Sequence, residues 1–250
     1  MKSPIIRAEG LSKSFKNDRV VTSVIRDLDL SIDKGSFTVI MGNSGSGKST
    51  LLYLLSGLDK ASSGKIWIDD IPVHGRSERD LALLRRSSIG FVFQDNNLVP
   101  NLTIRENILV AGYLVNKDRK LLNQRASALL EDLDILPLAD RLPSQASGGE
   151  LQRCAIARAL INNPLVVLAD EPTGSLNSEA SSRVLDCLSR LHQNGQSIVM
   201  VTHELKCASR GERILFFRDG AITGQRFKVQ NADAVIEEEE MHLWLKEKGW

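Results

Sequence analysis

The sequence has 250 residues, of which 42% are hydrophobic and 25% charged, enough for one large folded core or two small ones. Lys and Arg number 32 against 31 Asp and Glu, a formal net charge of +1, so no basic field marks the chain as a partner of nucleic acid. Three cysteines, Cys154, Cys187 and Cys207, match neither a zinc site nor a Cys-x-x-Cys redox pair and read as reduced, apolar residues. Met1-Lys2-Ser3-Pro4, followed by Ile5, Ile6 and Arg7, does not have the form of a signal peptide. No apolar run approaches the roughly 18 to 20 residues that cross a bilayer. The expectation is a cytoplasmic protein that reaches a membrane only through a partner.

From Ile5 to Ile40 the pattern is strand-like, with Val20-Val21, Val24-Ile25 and the alternation Leu28, Leu30, Ile32. The run Phe37-Thr38-Val39-Ile40-Met41 then enters Gly42-Asn43-Ser44-Gly45-Ser46-Gly47-Lys48-Ser49, which fits G-x-x-x-x-G-K-[ST] and leads into a helical run from Thr50 to Leu55. Glycines let the backbone curl until successive N–H groups point inward, and the following helix adds the positive end of its dipole. The expected occupant is an anion, with Lys48 bridging β- and γ-phosphates and the Ser49 hydroxyl completing the coordination of Mg²⁺.

Further along, Lys65 to Ile68 and Ile71 to Val73 read as paired strands around an Asp69-Asp70 turn, and Ile89 to Phe93 as a strand followed by Gln94. Thr103-Ile104-Arg105-Glu106 is a capping box that opens a helix carrying Ile104, Ile108, Leu109 and Val115, and Leu121 to Leu133 reads as another helix. A helix follows Gly149 to about Asn162. The buried-strand run Leu165 to Ala169 ends in Asp170-Glu171, two carboxylates at a strand tip. Asp170 is expected to hold Mg²⁺ through water, and Glu171 to act as general base toward an attacking water. A helix with Val184, Leu185, Leu188 and Leu191 and the strand Ile198 to Thr202 complete the alternation, with His203 directly after that strand. Strand and helix alternate at both ends with only helices between, the pattern of a parallel-sheet α/β core interrupted by a helical insertion at about residues 95 to 158. Beyond Gly220 the chain reads as a tail in which Glu237 to Glu240 and then Met241, Leu243, Trp244 and Leu245 make a short helix, acidic outside and apolar against the body.

Ala146-Ser147-Gly148-Gly149-Glu150, before Leu151-Gln152-Arg153, places hydroxyl and N–H groups at a helix N-terminus, a second anion site. Together with the phosphate loop, Gln94, Asp170-Glu171 and His203 in this order, it resembles the ATP-binding cassette superfamily, whose signature is Leu-Ser-Gly-Gly-Gln, over roughly residues 5 to 225. The resemblance implies a P-loop NTPase of RecA-like α/β fold with an added antiparallel β subdomain. Residues 1-95 and 159-220 would form the core and β subdomain, 96-158 the helical signature subdomain, and 221-250 the tail. It implies ATP contacts along Gly42 to Thr50, namely Gly42, Asn43, Ser44, Gly45, Ser46, Gly47, Lys48, Ser49 and Thr50, with Phe15 stacked on adenine. It assigns catalysis to Glu171, Gln94 and His203, and the metal to Ser49, Gln94 and Asp170. Ser147, Gly148, Gly149 and Glu150 would meet the γ-phosphate of ATP held by a second copy of the chain.

Three departures stand out: Phe15 where tyrosine is common, Ala146 and Glu150 in place of the signature's leucine and glutamine, and Asn177 where the family usually has aspartate. Leu168 to Gly174 and Ser56-Gly57-Leu58-Asp59 further resemble the lipoprotein-releasing and macrolide-exporting branch. That branch implies a bacterial homodimer held under a separate permease at the cytoplasmic face of the inner (plasma) membrane, exporting or extracting a lipoprotein, peptide or drug. The permease is expected to dock near residues 94-115, where Asn97 to Val115 is rich in Leu, Ile and Val. An ATPase that transports nothing and transmits force to a cell-wall hydrolase or sensor kinase is the alternative.

Overall fold

A computed structural model describes residues 4–17, 20–228 and 234–250. The Met1-Lys2-Ser3 start, and the side chains of Val20, Glu237 and Glu238 from the strand and tail readings, lie outside the described residues.

The chain opens with two long antiparallel strands, β1 (Pro4–Asn17) and β2 (Val20–Asp33), in register at Ile6 with Ile32, Ala8 with Leu30 and Leu11 with Leu28. These residues are buried, so the alternation in β2 is a core-facing stripe. β3 (Phe37–Met41) is buried at every residue and runs into the glycine loop ahead of α1 (Lys48–Leu55). β4 (Ser63–Ile68) and β5 (Ile71–Pro72) form a hairpin whose two turn residues, Asp69 and Asp70, have φ of 46° and 63°. A two-residue loop with both φ positive matches the right-handed twist of its strands, and Asp tolerates that conformation better than most residues.

α2 (Glu78–Ser88), unforeseen in the sequence, leads into β6 (Ile89–Val92). Then come α3 (Ile104–Tyr113), α4 (Arg119–Asp132) and α5 (Gly148–Leu160), with no strand among the described residues from 95 to 158. β7 (Val166–Asp170), α6 (Ser178–Gln193), β8 (Ser197–Thr202) and the short α7 (Leu205–Ala208) follow. β9 (Arg213–Arg218), β10 (Ala221–Phe227) and α8 (Ala234–Glu247) end the chain.

Two units emerge, one of Met1–Leu81 with Ser197–Trp250, the other Ala82–Gln196. In the first, an antiparallel sheet has the order β2-β1-β4-β5, and a second strand group runs β10-β9-β3-β8, with β3 parallel to both β8 and β9. In the second, β6 and β7 pair in parallel among α3, α4, α5 and α6. β6 and β7 lie with α3, α4, α5 and α6 in the unit from Ala82 to Gln196. Residues 221–227, read as the start of the tail, are a strand paired antiparallel with β9 across an Asp219-Gly220 turn with φ of 51° and 84°.

Candidate nucleotide site

In the first unit, the loop between β3 and α1 owes its course to two glycines. A Cβ on Gly42 would lie 2.1 Å from the backbone oxygen of Phe217, and Gly47 caps α1 with φ of 101°. Inside the curl, Lys48 is buried at 4% exposure, and its Nζ donates to the carbonyls of Gly42 at 2.8 Å and Asn43 at 2.9 Å. The ammonium is therefore held at the centre of the loop by acceptors that a phosphate can replace. Ser46 Oγ is buried without a hydrogen-bond partner, a cost that an oxygen-rich ligand would relieve. Asn43, Ser44 and Gly45 form the exposed rim, and Ser49 and Thr50, half-buried, lie in the first turn of α1.

Strand register adds His203 to this loop. Met41 pairs with Thr202 across the parallel β3 and β8, so Gly42 and His203 leave adjacent strands at the same level. His203 is exposed. Phe15 is 46% exposed and so is no core aromatic. One face of its ring is met by Lys13 Nζ, 4.6 Å from the centroid, and Lys13 is fixed by Asp59 Oδ1 at 2.7 Å and the Lys60 carbonyl at 2.8 Å. A ring held in this way presents a flat apolar surface of the kind a base stacks on.

In the second unit, the fully buried β7 delivers Asp170, 5% exposed, at its end. The next residue, Glu171, has φ of 42°, a left-handed conformation uncommon for a side chain of this size, and its carbonyl accepts from Gly174 N–H at 3.0 Å. Gln94 reaches this turn: its Nε2 lies 3.1 Å from where a Gly174 Cβ would stand. Asp170, Glu171 and Gln94 are thus gathered around one turn. The Ser49 hydroxyl, Gln94 amide oxygen and Asp170 carboxylate are hard oxygen donors of the type Mg²⁺ takes, so these side chains fit that ion chemically.

The signature segment is the N-terminus of α5. Ser147 is the N-cap, and both its N–H and its hydroxyl donate to Glu150 Oε2 at 2.7 Å. The Ser147 hydroxyl bond, then its backbone bond, with Arg153 and Arg183 nearby, hold the Glu150 carboxyl below the usual carboxylate range. Gly148, Gly149, Arg153 and Asn177 line the same cavity, of 340 Å³. Asn177 has a structural task here: its side chain N-caps α6 by accepting from Ala180 N–H at 2.9 Å. Asn serves as N-cap about as well as Asp, so the departure leaves the helix start intact.

Sequence reasoning missed how α5 holds the segment after β6. Gln152 Nε2 donates to the Phe93 carbonyl at 2.9 Å, and Arg158 donates to the carbonyls of Asn97 at 2.6 Å and Asn96 at 2.7 Å. Gln94 therefore stands within a stretch clamped by the signature helix. Gln152 and Arg158, polar residues flanking the buried run Cys154 to Ala157, were the available signal. Asn107 was missed as well. Fully buried, it donates to the Val99, Leu102 and Thr103 carbonyls and accepts from Val99 N–H. Beside this stretch is a cavity of 420 Å³ with Phe91 and Phe93, whose rings are tilted by 37° with centroids 4.3 Å apart, and three arginines, Arg85, Arg86 and Arg158. Asn97, Ala111 and Leu114 of the expected docking segment line it, whereas Leu98 and Leu102 do not and are half-buried.

Among known proteins, the ABC transporter family profile matches residues 25–174. The chain is 42% identical over 225 residues, 90% of its length and 99% of the relative's, to the lipoprotein-releasing system ATP-binding protein LolD of Aquifex aeolicus. It is 40% identical to the macrolide export ATP-binding/permease protein MacB of Brucella abortus, covering 90% of this chain and 35% of MacB. The dimeric post-hydrolysis structure of the ATP-binding cassette MJ0796 bound to ADP and Pi matches with a TM-score of 0.82 at 36% identity, over 89% of this chain and 98% of that one.

Proposed function

The chain belongs to the ABC transporter family of ATP-binding subunits and hydrolyses ATP in coupling to transport, and from that membership we propose that two copies close head to tail around two ATP and drive a separate membrane permease. Each nucleotide is held by Gly42 to Thr50 of one copy, with Lys48 at the β- and γ-phosphates and Phe15 against adenine. The facing copy contributes Ser147, Gly148, Gly149 and Glu150. The supporting observation is that one chain carries two anion-receptive helix ends, α1 behind the glycine loop and α5 behind Ser147. One triphosphate needs only one of them, so a chain with both is suited to meet a second copy. The dimer of MJ0796 with ADP and Pi supports the pairing of two copies.

Ser49, Asp170 and Gln94 would hold Mg²⁺, which would neutralise charge on the phosphates. Glu171 orients and deprotonates the attacking water, Gln94 reports on it to the clamped segment after β6, and His203 donates to the γ-phosphate. Loss of the bridging phosphate opens the pair. The names LolD and MacB, a releasing-system ATPase and an ATPase joined to a permease, support a partner in the membrane. No helix among the described residues is long and apolar enough to cross one. We place the chain at the cytoplasmic face of the inner membrane, with the permease in the groove of Phe91, Phe93 and Leu114, moving a lipoprotein, peptide or drug outward.

The test is to trap Glu171→Gln with ATP in the native cell, extract it in mild detergent and identify what accompanies it. Hydrolysis should fall about a hundred- to ten-thousandfold in this variant, and an integral-membrane subunit should co-purify. A soluble partner alone, or none, would overturn the permease assignment.

A further inference from the structure

The departure at Glu150 changes what the signature can offer a phosphate. A serine hydroxyl carries one proton, and in Ser147 that proton is donated to Glu150 Oε2 at 2.7 Å. A carboxylate accepts only, and so does a phosphate oxygen. Ser147 can therefore donate to an arriving γ-phosphate only by releasing Glu150. With glutamine at this position the acceptor is a neutral amide oxygen in place of a charged carboxylate, so the hydroxyl proton turns to a phosphate more readily.

Charge acts in the same direction. The cavity in front of Ser147 is lined by two carboxylates, Glu150 and Glu179, and two guanidiniums, Arg153 and Arg183, with Arg183 already bonded to Glu179 at 2.6 Å. The formal charge that this face presents is zero. Arg153 is 6% exposed, and its Nε is buried without a hydrogen-bond partner. The face thus holds an undersatisfied cation whose charge is cancelled by its own carboxylates.

We propose that Glu150 is a built-in brake on closure of the ATP sandwich: it engages the Ser147 proton and neutralises the signature face, raising the ATP concentration at which two copies close. This rests on the sandwich reading above and adds its control. Copies without a permease are thereby kept apart until ATP is abundant.

Four proteins test it, all in the Glu171→Gln background so that ATP persists: the parent, Glu150→Gln, Ser147→Ala and the double variant. Dimer fraction is followed by analytical ultracentrifugation as ATP is raised. Glu150→Gln should lower the half-point ATP concentration about tenfold, the scale of removing one charge beside a phosphate. Ser147→Ala should shift it less than about threefold with Glu150 present and more than about tenfold in the Glu150→Gln background, since the hydroxyl turns to phosphate more readily in the latter. Glutamine maintains the capping box, and thermal unfolding checks that the fold survives. Equal effects of Ser147→Ala in both backgrounds, or a Glu150→Gln variant that needs as much ATP as the parent, would overturn the brake while leaving the sandwich standing. No ATP-dependent dimer in any of the four would overturn the sandwich itself and the brake with it.

Discussion

Replacing Asn107 with leucine isolates one side chain's contribution to the segment next to Gln94. Asn107 sits at 0% exposure in α3 and makes four hydrogen bonds with the chain from Val99 to Thr103. They are not equal in consequence. The Thr103 carbonyl also accepts from Asn107 N–H at 2.9 Å, and the Val99 carbonyl from Leu102 N–H at 3.2 Å, so both keep a partner. Among the described hydrogen bonds, the Val99 N–H and the Leu102 carbonyl have Asn107 as theirs. Two orphaned backbone groups at about 1–3 kcal/mol each, partly relieved by water where the segment reaches the surface, give an expected loss of about 3 kcal/mol. Asn107→Asp should do no better, because it keeps the acceptor for Val99 N–H but turns a carboxylate toward three carbonyls. Urea unfolding measures the loss, and hydrogen exchange at the Val99 amide locates it. A loss below about 1 kcal/mol in Asn107→Leu, with Val99 still protected, would refute this account of the segment.

Gly42→Ala would place its methyl 2.1 Å from the Phe217 carbonyl, so the loop must shift, and ATP binding should fall by about a hundredfold or more by calorimetry while the rest of the fold survives. The Glu106 carboxyl is held below its ordinary value by the Thr103 backbone and hydroxyl, and Glu150 likewise by Ser147. Their contributions to stability are therefore full above about pH 4.5 and are lost as pH falls through the lowered folded values. The urea midpoint should drop with acid in that range, less steeply in Glu106→Gln. Burial pushes the Cys154 thiol up to about 12 and raises Cys187 too. Mass spectrometry after iodoacetamide near neutral pH should find both unmodified in the folded protein and alkylated after unfolding.

What could be read in advance followed the strength of local signals. The glycine loop between a fully apolar strand and a helix, the Asp170-Glu171 strand tip and the Thr103-Glu106 box announce themselves because each is a short run with one physical purpose. Asp69-Asp70 likewise marked its hairpin. α2 escaped notice because only Leu81 and Leu84 face inward amid charged residues, although Ser77 caps it through Asp80 N–H at 3.2 Å. β9 and β10 were missed although Asp219-Gly220 is a hairpin signal, since the polar stretch after Gly220 looked like a tail. The clamps from Gln152 and Arg158 join residues 59 to 62 positions apart in the chain, and no local pattern encodes such pairings. Glu150 was visible as a departure. Its grip on the Ser147 proton required the geometry.

The central claim is that each catalytic site is completed by a second copy, and the dependence of hydrolysis on protein concentration tests it most directly. With saturating ATP and Mg²⁺, the rate per chain of the wild-type protein should rise in proportion to chain concentration when dilute and level off once dimers dominate. A rate per chain that stays constant down to the lowest measurable concentration, where only the 27.6 kDa monomer is present, would contradict it.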